Sequence, residues 1–316
     1  MHLIKKILNV TKEKIPSPER GPDDYVDVFI HVPKTGGSVV RTVISQNYEL
    51  DQMRIFPGDH GDYSAFMQGD GTFNKRVRLL HGHAPLGIEN IVDTDNVRRV
   101  TMMRDPLSRL VSDYLFSMSR ESGWHDQVMK HDIAFMDFVK LYDGIMFNAQ
   151  SKWIGGIHPK EAIGMDDNEL LARTLTALDK YLVVGVNEML PETMLLFAKT
   201  LNWKAPVYKS VNVMPLSKRF KGMLTKDMIA EVEALNRVDQ KVYSIIKERF
   251  LSKILNMGPS FWKAVEEVTV VAAALDEKRG TLGLKQTFVI GRDRLDVDYS
   301  NMLHTKAFLN SGEGKE

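Results

Sequence analysis

A short loop between a strand and a helix, PKTGGS at residues 33–38, constrains the fold of this chain more than any other feature. The run before it, VDVFIHV at 26–32, is apolar enough for a strand buried in a parallel sheet. The apolar residues of the run after it, VVRTVISQNY, have helical spacing. Adjacent glycines let a backbone approach an anion closely, and a helix that starts there points its first N–H groups at that anion. The sequence therefore predicts a loop that binds a phosphate-like group at the end of a strand.

The order of residues in this loop bears on which anion it holds. Lys34 adds a mobile positive charge before Gly36 and Gly37, and Thr35 and Ser38 add hydroxyl donors. In the loop of nucleotide triphosphatases the lysine instead follows the glycines and precedes a hydroxyl that holds magnesium. This difference argues against an ATP- or GTP-using kinase of the P-loop class. That kinase stays an alternative, as does a plain strand-to-helix turn with a solvent-exposed lysine.

A second motif predicts another anion site at the end of a strand. Arg104 follows the run VRRVTMM at 97–103, and Ser112 lies two turns into the helix predicted to begin at Asp105 and Pro106. An arginine fork suits a doubly charged phosphate, and a serine on the adjoining helix can donate a second hydrogen bond. Ligands of open α/β sheets bind outside the carboxyl ends of strands, so the two motifs are expected to share one edge of the sheet.

Alternation of strands and helices along the chain predicts an α/β fold with a central parallel sheet flanked by helices. Strands are predicted at 26–32, 77–80, 97–103 and 181–186, long helices at 190–201 and 225–250, and an irregular segment at 51–76. We divide the chain into a tail at 1–24, a domain at 25–264 and an extension at 265–316 to which the sequence assigns no role.

Composition excludes several classes of protein. Lys plus Arg number 42 against 41 Asp plus Glu, a net charge of +1, so no overall charge points to nucleic acid as a partner. The absence of cysteine excludes disulfide scaffolds, cysteine-ligated zinc, iron–sulfur clusters and thiol nucleophiles. No stretch approaches the roughly 18 apolar residues that span a bilayer. We expect a cytoplasmic protein whose basic tail at 1–24 makes at most weak membrane contact; composition does not predict its oligomeric state.

Two of these segments together resemble the motifs of sulfotransferases that use 3′-phosphoadenosine 5′-phosphosulfate (PAPS). VFIHVPKTGGSVV resembles their 5′-phosphosulfate loop, and VTMMRDPLSRLVSDYLF resembles their 3′-phosphate motif, with Arg and Ser at the family's spacing. LLHGHAP resembles the His-Gly-His segment of the uronosyl 2-O-sulfotransferase branch, and FNAQSKWIGG resembles the Asn-x-Gln-x-[Arg/Lys] helix of that broad group. The resemblance spans residues 25–252 and implies a P-loop-like three-layer α/β fold.

The resemblance also implies an activity and a set of binding residues. The activity is transfer of a sulfuryl group from PAPS to a hydroxyl of a carbohydrate or small molecule, without a metal. The 5′-phosphosulfate would be held by Lys34, Thr35, Gly36, Gly37 and Ser38, the 3′-phosphate by Arg104 and Ser112, and the adenine partly by Asn212. The chain lacks the membrane anchor and the cysteines of Golgi glycan enzymes, which favours a bacterial-type cytosolic enzyme. A non-catalytic nucleotide- or glycan-binding module of the same fold is the other alternative.

His81 and His83, together with Lys34, are the candidates for catalysis. Residues i and i+2 of an extended segment project to the same side, so both imidazoles can face one pocket. A hydroxyl must lose its proton as it attacks sulfur, and histidine exchanges protons near neutral pH. We favour His83 as the base with His81 in support. The alternatives are hydrogen bonding within the loop or a zinc site, for which this spacing supplies only two ligands.

Other polar and aromatic residues have less specific predictions. Asn148 and Gln150 are predicted either to hydrogen-bond the acceptor or to brace the loop that carries the histidines. Trp124 and His125 are candidates for the wall on the acceptor side, and His31, inside the first strand, is expected to be a core or pocket-wall residue. Lys34 is expected to neutralise the leaving phosphate oxygen as the S–O bond breaks.

Overall fold

A five-stranded sheet forms the centre of the protein, and each pair of neighbouring strands in it is parallel. The computed structural model describes residues 25–56, 77–83, 87, 96–118, 128, 131–140, 146–157, 161–204, 206–208 and 220–281. The strands are β1 (Val26–Ile30), β2 (Met53–Phe56), β3 (Leu79–Gly82), β4 (Val97–Met103) and β5 (Val183–Val186), in the order β2-β3-β1-β4-β5. The predicted α/β class and central parallel sheet are confirmed.

Helices connect and cover these strands. They are α1 (Gly37–Ile44), α2 (Pro106–Ser117), α3 (Phe135–Lys140), α4 (Ala149–Gly155), α5 (Asp167–Leu178), α6 (Leu190–Leu201), α7 (Lys226–Leu235), α8 (Arg237–Leu255) and α9 (Pro259–Thr281), with short 3₁₀ turns at Leu50–Gln52 and Asn187–Met189. Within the described residues, no helix has both the length and the apolar character needed to cross a membrane.

Strand order brings four loops to one edge of the sheet. Strand β1 lies between β3 and β4, so the chain leaves it in one direction and later returns to its other side. Because the strands are parallel and in register, the carboxyl ends of β1, β3, β4 and β5 meet at the same edge. The His-Gly-His segment lies at the end of β3 itself, and the segments that follow β1, β4 and β5 carry PKTGGS, Arg104 and the pair Asn187–Glu188. This edge is where ligands of open parallel sheets bind.

Side chains of β1 make two kinds of contact, one with a helix that covers the sheet and one with the neighbouring strand β4. The Phe29 ring contacts Phe197 of α6 with ring centroids 6.3 Å apart, and Arg98 forms an ion pair with buried Asp27. Burial raises the pKa of Asp27, and the Arg98 and Tyr48 hydrogen bonds act in the opposite direction. The partners of the buried Asp27 carboxylate therefore tie β1 to β4 and to the segment that follows α1.

The segment predicted to be irregular, 51–76, contains a strand, so that prediction was wrong for residues 53–56. Met53 and Phe56 are buried, and β2 pairs with β3 in register over four residues. The short sequence MRIF has too little alternation to predict a strand by itself. Pairing with β3 and burial of its two ends against the core supply the stabilisation that local propensity lacks.

The single helix predicted at 225–250 is two helices, α7 and α8, which separate at Asn236. The Asn236 side chain is fully buried, donates to the carbonyl of Val232 at 2.9 Å and accepts the backbone N–H of Asn148 at 3.1 Å. A local hydrogen bond of this kind competes with helical geometry. The apolar residues of this segment keep helical spacing on both sides of Asn236. The helix is nevertheless interrupted there, by a contact to a residue 88 positions away.

Helix α9, the last helix in the described part of the chain, crosses the boundary placed between residues 264 and 265. Phe261 and Ala264 on one side of that boundary, and Val268 and Ala272 on the other, are buried in the same main core. The helical spacing of these four residues forms one stripe that packs with α6. The described part of the extension is therefore continuous with the domain as far as Thr281.

Candidate functional site

The PKTGGS loop leaves β1 through residues in left-handed backbone conformations. Lys34 has φ +66° and Gly36, the N-cap residue of α1, has φ +99°. Gly36 has no side chain with which to cap the helix, and the first turn of α1 contains no acidic residue. The positive end of the α1 dipole is therefore left without a carboxylate in its own first turn, an arrangement that favours binding of an external anion.

Both glycines of the loop are required by their neighbours. A Cβ atom at Gly36 would overlap the Asn187 amide and come within 2.9 Å of the Met102 methyl group, and a Cβ atom at Gly37 would overlap the imidazole of His31. The Asn187 side chain also donates to the carbonyl of Thr35 at 2.9 Å. The loop is thus held between a residue from the end of β5 and a histidine from the end of β1.

Lys34 connects the two predicted anion motifs. Its Nζ lies 3.7 Å from the centre of the Phe116 ring on α2, and its carbonyl accepts a hydrogen bond from Arg104 Nη1 at 3.3 Å. Ser112 lies one turn before Phe116 on the same side of α2, since residues four apart are neighbours on a helix. Lys34 and Arg104 therefore meet at one edge of the sheet, and Ser112 lies on the helix whose Phe116 contacts Lys34.

The Arg104 guanidinium is partly enclosed. Its Nε is buried and has no hydrogen-bond partner among the described residues. Burial lowers the pKa of Arg104, while the carboxylates of Glu188 and Asp105 act in the opposite direction. An arginine side chain stays charged at neutral pH even so. A positively charged group with an unused donor beside the PKTGGS loop is suited to an anionic ligand.

The two hydroxyls of the loop are placed differently. Thr35 is fully buried and its hydroxyl donates to the carbonyl of Val32 at 2.8 Å, so in this structure its proton is used within the protein. Ser38 lies in the first turn of α1 and is partly exposed. Thr35 therefore stabilises the shape of the loop, whereas Ser38 is at the helix end where an anion would bind.

Three histidines form a cluster beside this loop. The His31 and His83 rings stack with centroids 4.2 Å apart and planes at 26°, and His83 meets Trp153 of α4 edge to face at 6.2 Å. His81, in β3, is only 1% exposed, whereas His83 is partly exposed. The two residues of the His-Gly-His segment thus differ in their access to a ligand.

Burial keeps the inner two histidines uncharged. It lowers the pKa of His31 well below its ordinary value, and the neighbouring basic side chains of His83, Arg41, His81 and Lys34 act in the same direction. Burial, with Arg41 and His83, lowers the pKa of His81 to about 3. Neither ring nitrogen of His81 has a hydrogen-bond partner among the described residues. At neutral pH both rings are therefore neutral.

Asn148 and Gln150 are used in bracing contacts. Gln150 is fully buried; its Oε1 accepts the Arg104 N–H and its Nε2 donates to the Arg104 carbonyl, each at 2.9 Å. The Asn148 side-chain oxygen accepts the N–H groups of Val238 and Asp239 at the start of α8. Of the two roles considered from the sequence, these contacts correspond to the brace, although the backbone that Gln150 holds is that of Arg104 and not the histidine loop.

Several predicted residues lie outside the described part of the chain, namely Asn212, Trp124 and His125. Within the described residues, no group of three or more histidines and carboxylates is arranged to hold a metal ion. Three site residues were not singled out from the sequence: Arg41, Asn187 and Glu188. The last two directly follow VVGV at 183–186, so the carboxyl end of that strand was the signal that could have identified them.

Comparison with protein-family models and with curated proteins does not assign a function to this site. No protein-family model matches the chain, and no curated protein shows significant similarity to it.

Proposed function

We propose that this protein is a PAPS-dependent sulfotransferase with a P-loop-like three-layer α/β fold, which transfers a sulfuryl group to a hydroxyl of a carbohydrate or small molecule. The observation that carries the proposal is the contact between the two anion motifs. Arg104 Nη1 donates to the Lys34 carbonyl at 3.3 Å, so the second cation lies beside the phosphate loop. Two adjacent anion sites suit a nucleotide with phosphates at both the 5′ and the 3′ position.

The residues present fit such a nucleotide. The α1 N-terminus, Lys34 and Ser38 would hold its 5′-phosphosulfate, and Arg104 with Ser112 would hold its 3′-phosphate. The uncapped start of α1 and the unused Arg104 Nε, buried beside the loop, are the features of this structure that support the fit. When bound, PAPS supplies an activated sulfuryl group.

Access to the ligand distinguishes the roles proposed for the histidines. His83 is partly exposed and stacks on His31, so it can accept the proton of an incoming hydroxyl at a ring nitrogen. His81 is buried and neutral, which suits a supporting role behind His83. Lys34 would stabilise negative charge on the leaving phosphate oxygen, where a preorganised cation has its largest effect.

Calorimetric titration with adenosine 3′,5′-bisphosphate, without divalent metal, tests the proposal. A charge-assisted contact contributes roughly 1.5–3 kcal/mol, so AMP, which lacks the 3′-phosphate, should bind about tenfold to a hundredfold more weakly. Arg104→Ala should abolish most of that difference, whereas Arg173→Ala, which removes an arginine paired with Glu161 on the surface, should leave it unchanged. A thermal melt of each variant checks that the fold is retained.

Two results of this titration, and one result of a sulfate-transfer assay, would contradict the proposal. Equal affinity for the bisphosphate and for AMP would remove the second phosphate site. Tight binding of ATP that requires magnesium, without any preference for a 3′-phosphate, would favour the kinase alternative. Binding with the expected preference but no sulfate transfer to any hydroxyl acceptor would favour a non-catalytic module of the same fold.

A further inference from the structure

One face of helix α8 supports the backbone of Arg104 and Asp105 from two sides. Asp239 and Tyr243 lie one turn apart on this helix and are both buried. Within the described residues, the hydrogen bonds of these two side chains go to other partners than Lys34, Ser38, Arg104 and Ser112. Each is connected to the segment at 104–105 through a single intermediate side chain, and the two intermediates come from different parts of the chain.

The first connection runs through Gln150. The Asp239 carboxylate accepts the backbone N–H of Gln150 at 3.2 Å and the N–H and hydroxyl of Ser151 at 2.8 and 2.6 Å, which fixes the start of α4. From that position the Gln150 side chain makes both of its hydrogen bonds, one as acceptor and one as donor, with the two backbone groups of Arg104. Asp239 and Gln150 are each fully buried, so water does not replace these bonds readily.

The second connection runs through Glu188. The Tyr243 hydroxyl donates to Glu188 Oε2 at 2.9 Å, and Glu188 Oε1 accepts the backbone N–H of Asp105 at 3.0 Å. Glu188 lies in the turn that follows β5, at the same sheet edge as Arg104. Burial of the Tyr243 hydroxyl beside this carboxylate raises the pKa of the phenol, so the hydroxyl keeps its proton and remains a donor.

These two connections exceed what the start of helix α2 requires. Asp105 already caps that helix, because its carboxylate accepts the N–H of Ser108 at 2.8 Å. The added bonds instead hold three backbone groups on either side of the Arg104 α-carbon: its N–H, its carbonyl and the N–H of Asp105. Fixing those groups fixes the direction of the Arg104 Cα–Cβ bond, from which the side chain extends toward the guanidinium.

We propose that the Asp239–Tyr243 face of α8 positions Arg104 and thereby sets the preference of this protein for nucleotides that carry a 3′-phosphate. The inference rests on the proposed function for its ligand. Asp239, Gln150, Glu188 and Tyr243 are positioning residues, since they act on the ligand through Arg104. A preorganised arginine loses less conformational freedom on binding, so loosening its backbone should weaken the bisphosphate complex and leave the AMP complex unaffected.

Three variants of the full-length protein test this inference. Tyr243→Phe removes only the hydroxyl that holds Glu188, and Gln150→Met removes both hydrogen bonds to Arg104 at similar side-chain length. The matched control is Tyr181→Phe, which removes a buried hydroxyl that donates to the carbonyl of Ile154. We expect the bisphosphate-over-AMP preference to fall about tenfold in Gln150→Met and about threefold in Tyr243→Phe, and to stay at the wild-type value in Tyr181→Phe.

Amide hydrogen exchange of the same variants supplies a second readout. Peptides that contain Arg104 and Asp105 should exchange faster in Gln150→Met and Tyr243→Phe than in the wild type. In Tyr181→Phe their exchange rate should equal that of the wild type. A wild-type preference that both variants retain, or unchanged exchange at 104–105, would overturn the positioning role while the proposed function stands. A wild-type protein without any preference for the 3′-phosphate would instead overturn the proposed function and the specificity assigned to α8 with it.

Discussion

The buried imidazole of His81 should make the fold sensitive to mild acid. Its pKa in the folded protein is about 3, against an ordinary value of 6.5 that applies to the unfolded chain. Between those two values the unfolded state binds the proton and the folded state does not, so the free energy of unfolding falls as the pH falls. At pH 5, which is 1.5 units below 6.5, the loss due to His81 is about 2 kcal/mol relative to pH 7.

This effect can be isolated by comparing variants. His31 contributes in the same direction, because burial lowers its pKa as well, so the slope of the wild-type protein is not due to His81 alone. His81→Leu replaces the imidazole with an apolar side chain that does not titrate and has no polar atoms to bury. Urea unfolding at pH 7, 6 and 5 should show that the wild type loses about 2 kcal/mol more than His81→Leu between pH 7 and pH 5.

A surface histidine provides the control. His131 is exposed, so His131→Leu should keep the pH dependence of the wild type. If His81→Leu loses stability with acid as steeply as the wild type does, then His81 is not a buried neutral group. The supporting role proposed for it behind His83 would be wrong as well.

Three further predictions concern the loop and the base. Lys34→Ala should lower turnover at saturating PAPS more than it weakens binding of adenosine 3′,5′-bisphosphate, because its charge matters most when the leaving oxygen becomes anionic. If His83 is the base, activity should rise with pH as its imidazole loses a proton; His83→Ala should abolish that rise and reduce turnover on the order of 10²–10⁴-fold, with bisphosphate affinity nearly unchanged. Gly37→Ala should destabilise the protein by roughly 1–3 kcal/mol in urea unfolding, because the new Cβ overlaps the His31 ring.

Each of these has an outcome that would contradict it. Unchanged turnover in Lys34→Ala would leave that lysine as a binding contact only. Near-normal activity in both His83→Ala and His81→Ala would place the base elsewhere. For Gly37→Ala the matched control is Gly258→Ala, whose Cβ would meet no atom within 4 Å, and equal stability of the two variants would contradict the packing of His31 against the loop.

Local patterns in the sequence were sufficient for the class of fold and for the position of the PKTGGS loop between a strand and a helix. Four of the five strands, at 26–30, 79–82, 97–103 and 183–186, overlap apolar runs that predicted them. The start of α2 follows its predicted N-cap at Asp105, whose carboxylate accepts the Ser108 N–H. These features depend on residues a few positions apart, so periodicity, capping residues and glycine pairs predict them directly.

Contacts between distant segments decided the rest, because short-range patterns contain no information on which side chains meet. Strand β2 is stabilised by its pairing with β3, and the break between α7 and α8 at Asn236 is stabilised by a hydrogen bond to the backbone of Asn148. The braces of Arg104 come from side chains 46 and 83 positions away from the groups they hold. The same holds for the histidines: the sequence favours His83 as the base without showing how the two sites differ, and packing against the core leaves His81 buried and His83 partly exposed.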